Sequence, residues 1–365
     1  MSATTRATIS DVARLAVVST KTVSRVFATP ETVSAPTRDR VLAAAKQLRF
    51  RPNNLARSLR RGGVSSTVAF VMGDITNPFY FQLAAGIERE LAGSGLTMIL
   101  ATTDDSAEGE QVVVDALLAQ RVRALILVPV ADDQGYLEGE RQLGTPVVCI
   151  DRPARNLLAD SVVLQNHAGM REAVRALTAL GHRRIGFISN TGHLYTQAER
   201  LAGYREALAE AGIPDSRRYE RSIGFGAQLE QAIVDLLELP EPPTAIVAGN
   251  NRGSAAAIRV LRDRPENTAF IGFDDFELAD ALGITVVAHD AIEMGRTAAR
   301  LVIERLDDPS GFTRQIEAPV RLVRRGSGEI GPPELGTPAE ISAPADPPAT
   351  PPAPPTGGPG RPRAR

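Results

Sequence analysis

The sequence predicts a small all-α helix-turn-helix head followed by an α/β body of two doubly wound parallel-sheet lobes. Three observations predict it. Residues 8–28 read as two short capped helices around a tight turn, basic side chains crowd the first 63 residues, and apolar strand-like runs alternate with amphipathic helix-like runs from Val64 onward.

In TISDVARLAVVSTKTVSRVFA, Thr8 can cap a first helix, with Asp11 three residues on completing a capping box. Val12, Ala13, Leu15 and Ala16 supply its apolar positions. Ser19 can cap a second helix whose Val23 and Val26 face the core, while Thr20, Lys21, Ser24 and Arg25 stay outside. A capped helix with a polar, basic outer face beside a supporting helix suits the major groove, although such pairs also occur as plain structure.

The net charge of −2 conceals an asymmetry. Residues 1–63 hold twelve Lys/Arg and three acids, a net of +9, and the remainder has 29 basic and 40 acidic side chains, a net of −11. A basic head on an acidic body fits a polyanion-binding module. A solvated charged surface would not confine the arginines to one end.

SAPTRDRVLAAAKQLRF begins a third helix at Ser34, with Pro36 in its first turn and Val41, Ala44, Ala45 and Leu48 as its apolar stripe. So small a head has a marginal core and leans on a dimer partner or on DNA. RPNNLARSLRRGG is basic and bounded by Pro52 and Gly62-Gly63; its LARSL is too short to be a stable helix alone. The domains expected are therefore a DNA-binding head (1–51), a hinge helix and linker (52–63), a two-lobed body (64–330) and a disordered Pro/Ala-rich tail (331–365).

In the body, STVAFVM, LTMILAT, RALILVP, TPVVCID, RRIGFIS, PTAIVAG and NTAFIGF read as strands. FQLAAGIERELAGSG, EQVVVDALLAQR, HAGMREAVRALTALG, ERLAGYREALAEAG, AQLEQAIVDLLEL and SAAAIRVLRDR read as helices between them. These are too many units for one sheet, so two similar lobes with a cleft between them are expected, with ligands beyond the carboxyl ends of the strands. The residues there are Asp74, Asn77-Pro78-Phe79-Tyr80, Asp151-Arg152, Asn250-Asn251 and Asp274-Asp275. Any one of them could be a capped turn. Their recurrence at strand after strand, with aromatics beside one, suits a hydroxyl-rich ligand.

A hydrophobic content of 43% is ordinary for a soluble chain, and no apolar run approaches a membrane span. The first residues show no signal-peptide pattern, so a cytoplasmic protein is expected. The single Cys149, in TPVVCID, reads as a buried strand thiol. There is no phosphate-binding glycine loop, no metal-spaced His/Cys cluster and no G-x-S-x-G elbow, so neither catalysis nor a cofactor is expected. His182, in LGHRRI, reads as a helix-end residue placed by the dipole.

TISDVARLA, VSTKTVSRVF, ETVSAPTRDRVLAAAKQL, RPNNLARSL, ITNPFY, IDRP, LGHRRIGFIS, ERLAGYREAL, GFDD and VRLVRRGS, in this order and spacing, resemble the lactose/galactose repressor (LacI/GalR) family of bacterial transcription regulators over residues 8 to about 328. The resemblance implies a homodimer whose two heads bind a pseudo-palindromic double-stranded operator, with a periplasmic-binding-protein-like body that takes a small sugar-like effector. It implies repression as the family default. By position, Thr20, Lys21 and Arg25 would enter the major groove, and Thr22 and Ser24 would hold phosphates. Leu59 would wedge into the minor groove, with Asn53 and Arg57 supporting the hinge on the backbone. Asp74, Asn77, Phe79, Tyr80, Asp151, Arg152, Arg200, Asn250 and Asp274 would line the effector cleft, Arg200 as the bidentate partner of hydroxyls or a carboxylate.

The chain departs from the family at several positions. Val17 stands where the turn usually has glycine; if that position needs φ > 0, the β-branched residue costs on the order of 1–2 kcal/mol. Ala28 and Arg49 replace an asparagine and a glycine. Asn250-Asn251 stands for an Asn-Asp pair, Gln165-Asn166 for Asp-Asn, and His289 for a glutamine. Two acids lost and an imidazole gained point to a ligand carrying negative charge, unless His289 is simply a satisfied hydrogen-bonder, the preferred reading.

Overall fold

The computed structural model describes residues 7–51, 65–189, 194–214, 217–223, 228–262, 264 and 267–333. The expected hinge, 52–63, lies outside the described residues, as does the tail from 334 on; the chain is described to Pro333, with Pro332 against Gly181.

In the head, α1 (Ile9–Ala16) opens with the expected capping box: Thr8 Oγ1 accepts the Asp11 N–H at 3.3 Å and Asp11 Oδ2 accepts the Thr8 N–H at 2.9 Å. These bonds from Thr8 hold the Asp11 carboxyl below the usual range. In α2 (Thr20–Ala28), Ser19 Oγ accepts the Thr22 N–H at 3.0 Å, and α3 (Ala35–Gln47) follows Ser34. Val12, Ala13, Ala16, Val23, Val26, Val41, Ala44 and Ala45 make the buried core. Leu15 is not part of it: it is 42% exposed, because it lies one position round from the stripe that Val12 and Ala16 bury. Val17 ends α1 at φ 55°, ψ 52°, the left-handed conformation that glycine adopts at no cost, and Arg49 closes α3 with φ 50°.

The first body strands are β1 (Thr67–Met72), β2 (Thr97–Thr102), β3 (Ala124–Leu127), β4 (Val147–Ile150) and β5 (Asp160–Leu164). The next five are β6 (Ile185–Ser189), β7 (Glu220–Ser222), β8 (Ala245–Ala248), β9 (Ala269–Phe273) and β10 (Thr285–His289). The last two, β11 (Gln315–Ala318) and β12 (Val320–Val323), return one to each lobe. The N-lobe sheet runs β2-β1-β3-β4-β5-β11, all parallel; the C-lobe sheet runs β7-β6-β8-β9-β10-β12, parallel except for β12. The chain thus crosses between lobes three times: after β5, after β10, and between β11 and β12.

All seven strands expected from sequence are present, as β1–β4, β6, β8 and β9. The half-exposed edges β11 and β12 lack an apolar run and were not expected. Each lobe also packs two parallel helices along their length. In the N-lobe, α4 (Pro78–Gly93) lies on the helix after β10 (Ala291–Asp307), where a Cβ on Gly86 would collide with the Ile292 carbonyl. In the C-lobe, the helix Asn166–Ala179 lies on Tyr195–Glu210, where Gly203 meets the His167 carbonyl in the same way.

His182 does more than end a helix. It is fully buried, with Nδ1 at 2.8 Å from Thr244 Oγ1 and Nε2 at 2.8 Å from the Ile330 carbonyl. Burial holds its pKa below the usual value. The Nε2–H therefore donates to the carbonyl, leaving Nδ1 to accept from the hydroxyl. Cys149 is buried in β4, and burial pushes its thiol up, away from reactivity.

Candidate functional site

On the head, the buried Val23 and Val26 turn the opposite face of α2 outward. Thr20, Lys21 and Arg25 are exposed, and Thr22 and Ser24 half-buried. The Thr22 hydroxyl lies 2.9 Å from Ser19 Oγ, so it is shared with the helix cap. Asn53, Arg57 and Leu59 lie outside the described residues.

In the body, the strand ends of both lobes converge on a cavity of about 60 Å³. Asp74, Asn77, Phe79, Tyr80, Asp151 and Arg152 border it from the N-lobe, and Arg200, Asn250 and Asp274 from the C-lobe. Asp151 and Asp274 hold equivalent places. Each follows a central strand with φ near +70° (71° and 70°), and each donates its N–H to the next strand over (Val162 O, 2.9 Å; Val287 O, 3.0 Å). Left-handed backbone at two facing carboxylates costs about 1 kcal/mol each, tolerable for Asp, and aims both side chains into the cleft.

Their environments push the two acids apart. Burial raises the pKa of Asp151, opposed by Arg152 and Arg200. Asp274 is equally desolvated, but His289 Nε2 at 2.9 Å, the Arg200 charge and the Asn251 N–H at 3.2 Å outweigh burial and hold it below the usual range.

The arginines are fixed by neutral oxygens as well as by acids. Arg200 donates to the Gly249 carbonyl (2.6 Å) and to Asn166 Oδ1 (2.8 Å), with its guanidinium 3.6 Å from the Phe273 ring centroid. Burial lowers its pKa, against the opposing pull of Asp274 and Asp151. Arg152 donates to the Pro129 carbonyl (3.0 Å) and the Tyr80 hydroxyl (3.3 Å), and pairs with Asp105 and Asp151 at 3.4 Å. The Tyr80 phenol is pushed up by burial and stays a protonated donor.

His289 does not border the cavity; it stands behind Asp274, edge-on to Phe79 with ring centroids 5.3 Å apart, and its buried Nδ1 has no hydrogen-bond partner. It is thus satisfied on one nitrogen alone. Asp275, beside Asp274, turns away into a bidentate pair with Arg325 at 2.8 Å.

Sequence reasoning missed Asp105, Thr196, Gln197 and Arg252 on the cavity wall. Asp105 follows the β2 run, so the strand-end rule reaches it. Gln197 precedes Arg200 by three, the same helix face. Nothing local marks Arg252.

Residues 8–53 match the family "Bacterial regulatory proteins, lacI family", and residues 174–328 match the "Periplasmic binding protein-like domain". The chain is 30% identical over 331 residues to the HTH-type transcriptional repressor CytR of Escherichia coli strain K12, covering 88% of this chain and 96% of that one. Among solved structures, the Lac repressor dimer bound to operator and the anti-inducer ONPF superposes with a TM-score of 0.77 at 26% identity, covering 89% of this chain and all (100%) of that one. The transcriptional regulator CelR–cellobiose complex does so with a TM-score of 0.65 at 30% identity, over 88% and 100%. These relatives are regulators, not enzymes. Among the described residues no helix is long and apolar enough to cross a membrane.

Proposed function

We propose, since this chain belongs to the LacI family of bacterial transcriptional regulators, that it is a repressor that binds a pseudo-palindromic operator as a homodimer and answers to a small effector held between its lobes. The observation that carries the DNA half is the outward face of α2, where Thr20, Lys21 and Arg25 stand exposed on a helix whose other side is core. Lys21 and Arg25 donate to guanine O6 and N7, and Thr20 meets a base edge or a thymine methyl. Selection on a randomised duplex library tests it: a symmetric consensus is expected, and no enrichment over bulk DNA overturns it.

The cavity argues for a neutral polyhydroxyl effector rather than an anionic one. An anion would face four carboxyl groups (Asp74, Asp105, Asp151, Asp274) against three guanidinium groups (Arg152, Arg200, Arg252), whereas sugar hydroxyls can donate to the former and accept from the latter. Calorimetry against pentoses, hexoses and the matching sugar acids tests this; binding restricted to the acids overturns it.

A further inference from the structure

We infer that Asn77 and Asp74 of one lobe and Asn251 and Arg252 of the other form a latch that holds the lobes closed without any ligand. Asn77 caps α4, its Oδ1 accepting the Phe79 N–H at 3.1 Å, so that oxygen is committed as an acceptor. Asn251 Nδ2 reaches the same oxygen at 2.7 Å from 174 positions away in the chain. Residue 251 must therefore donate. The aspartate expected there from the family pattern would set a carboxylate against a carbonyl oxygen, so the Asn-Asn pair of this chain is what permits the bond.

The neighbouring residues repeat the logic with charge. Asp74 is pre-shaped by the Thr76 N–H at 2.7 Å and its hydroxyl at 2.8 Å. The Arg252 guanidinium pairs with the Asp74 carboxylate and lies 3.3 Å from Thr76 Oγ1. Asp74 is 18% exposed and Arg252 39%, so this pair is screened by salt, and the half-buried amide bond supplies the direction.

The latch joins the ends of β1 and β8, whereas the lobe crossings lie among β5, β10, β11 and β12 at the other side of the sheets. It therefore acts with a lever arm on opening. An effector meets lobes already closed, and its affinity is not spent on closing them. The inference does not rest on the effector reading, because its test needs no ligand.

The test is pulsed EPR on the full-length chain, spin-labelled at Ala107→Cys and Ala198→Cys on the two cleft rims; the buried Cys149 stays unlabelled. Mixed with excess unlabelled protein, so that any dimer carries a single labelled subunit, the wild-type background should show one short, narrow interlobe distance without ligand. Asn251→Asp should raise the open-to-closed ratio about three- to tenfold, the yield of one hydrogen bond. It should leave the fold intact, since an acid is favourable at a helix N-terminus. Asp74→Asn keeps the Thr76 turn and should shift the ratio less, in the same direction. A broad wild-type distribution, or distances in both variants that match wild type, overturns the latch. Should Asn251→Asp fail to fold, Asp74→Asn and the wild-type distribution still decide it.

Discussion

Arg200 Nε donates to Asn166 Oδ1 at 2.8 Å, so the guanidinium that faces the cavity from one helix is held by the first residue of the helix packed against it. With the Gly249 carbonyl and the Phe273 ring also engaged, Arg200 is oriented on three sides before any ligand arrives.

Arg200→Lys should keep the charge facing Asp151 and Asp274 but lose the planar fork, abolishing calorimetric binding of a sugar with little loss of stability. Arg200→Ala should also destabilise the body by about 1–3 kcal/mol for each buried acceptor left without its donor, the Gly249 carbonyl and Asn166 Oδ1. Equal melting temperatures for the two variants would contradict this.

Lys21→Ala and Arg25→Ala should each relax specificity at one base position per half-site by about 1–3 kcal/mol. Selection profiles on randomised operators read the effect directly, and unchanged profiles would remove α2 as the reading helix. Wild-type affinity should fall steeply with salt.

Val17 is 85% exposed, so replacing it forfeits no packing. Val17→Gly should relieve about 1–2 kcal/mol of left-handed strain and return about 0.5–1 kcal/mol in chain entropy. A net gain is expected, measured as slower proteolysis of the head.

Gly86→Ala should destabilise the N-lobe by about 1–3 kcal/mol or more, because its methyl meets backbone rather than a movable side chain. Gly93, with nothing within 4 Å of its would-be Cβ, is the matched control and should tolerate alanine. Denaturant midpoints of the two variants separate the cases.

His182 is held below its ordinary pKa by burial. Above the ordinary histidine range both folded and unfolded chains carry it neutral, and its contribution is fully present. As pH falls through about 6.5, the unfolded chain takes up a proton that the folded one resists, and stability is lost. His182→Gln should flatten this part of the pH dependence of the melting temperature; an identical slope would rule the residue out.

Much of the fold was legible because most of the parallel strands are continuous apolar runs; seven announced themselves, the edge strand β2 among them, while the shorter buried runs of β5 (DSVVL) and β10 (TVVAH) were missed. The helix Ala291–Asp307 was missed although its stripe is regular, because no strand run of the expected kind flanks it on the far side: β11 is QIEA, half polar and half exposed. Asp151 and Asp274 were legible from their places after strands. The role of His289 was not, since whether an imidazole borders a cavity or backs a carboxylate is decided by neighbours far away in sequence. The Asn77–Asn251 contact was invisible for the same reason.

The triple crossing has a consequence for how the protein is made. The N-lobe sheet ends on β11, whose residues leave the ribosome only after the entire C-lobe core from β6 to β10 has emerged. The lobe begun first must therefore be finished second, with its β5 edge open throughout translation. Truncation anywhere before Ala318 would leave that edge bare, and a shortened product should aggregate rather than persist as a stable half-molecule.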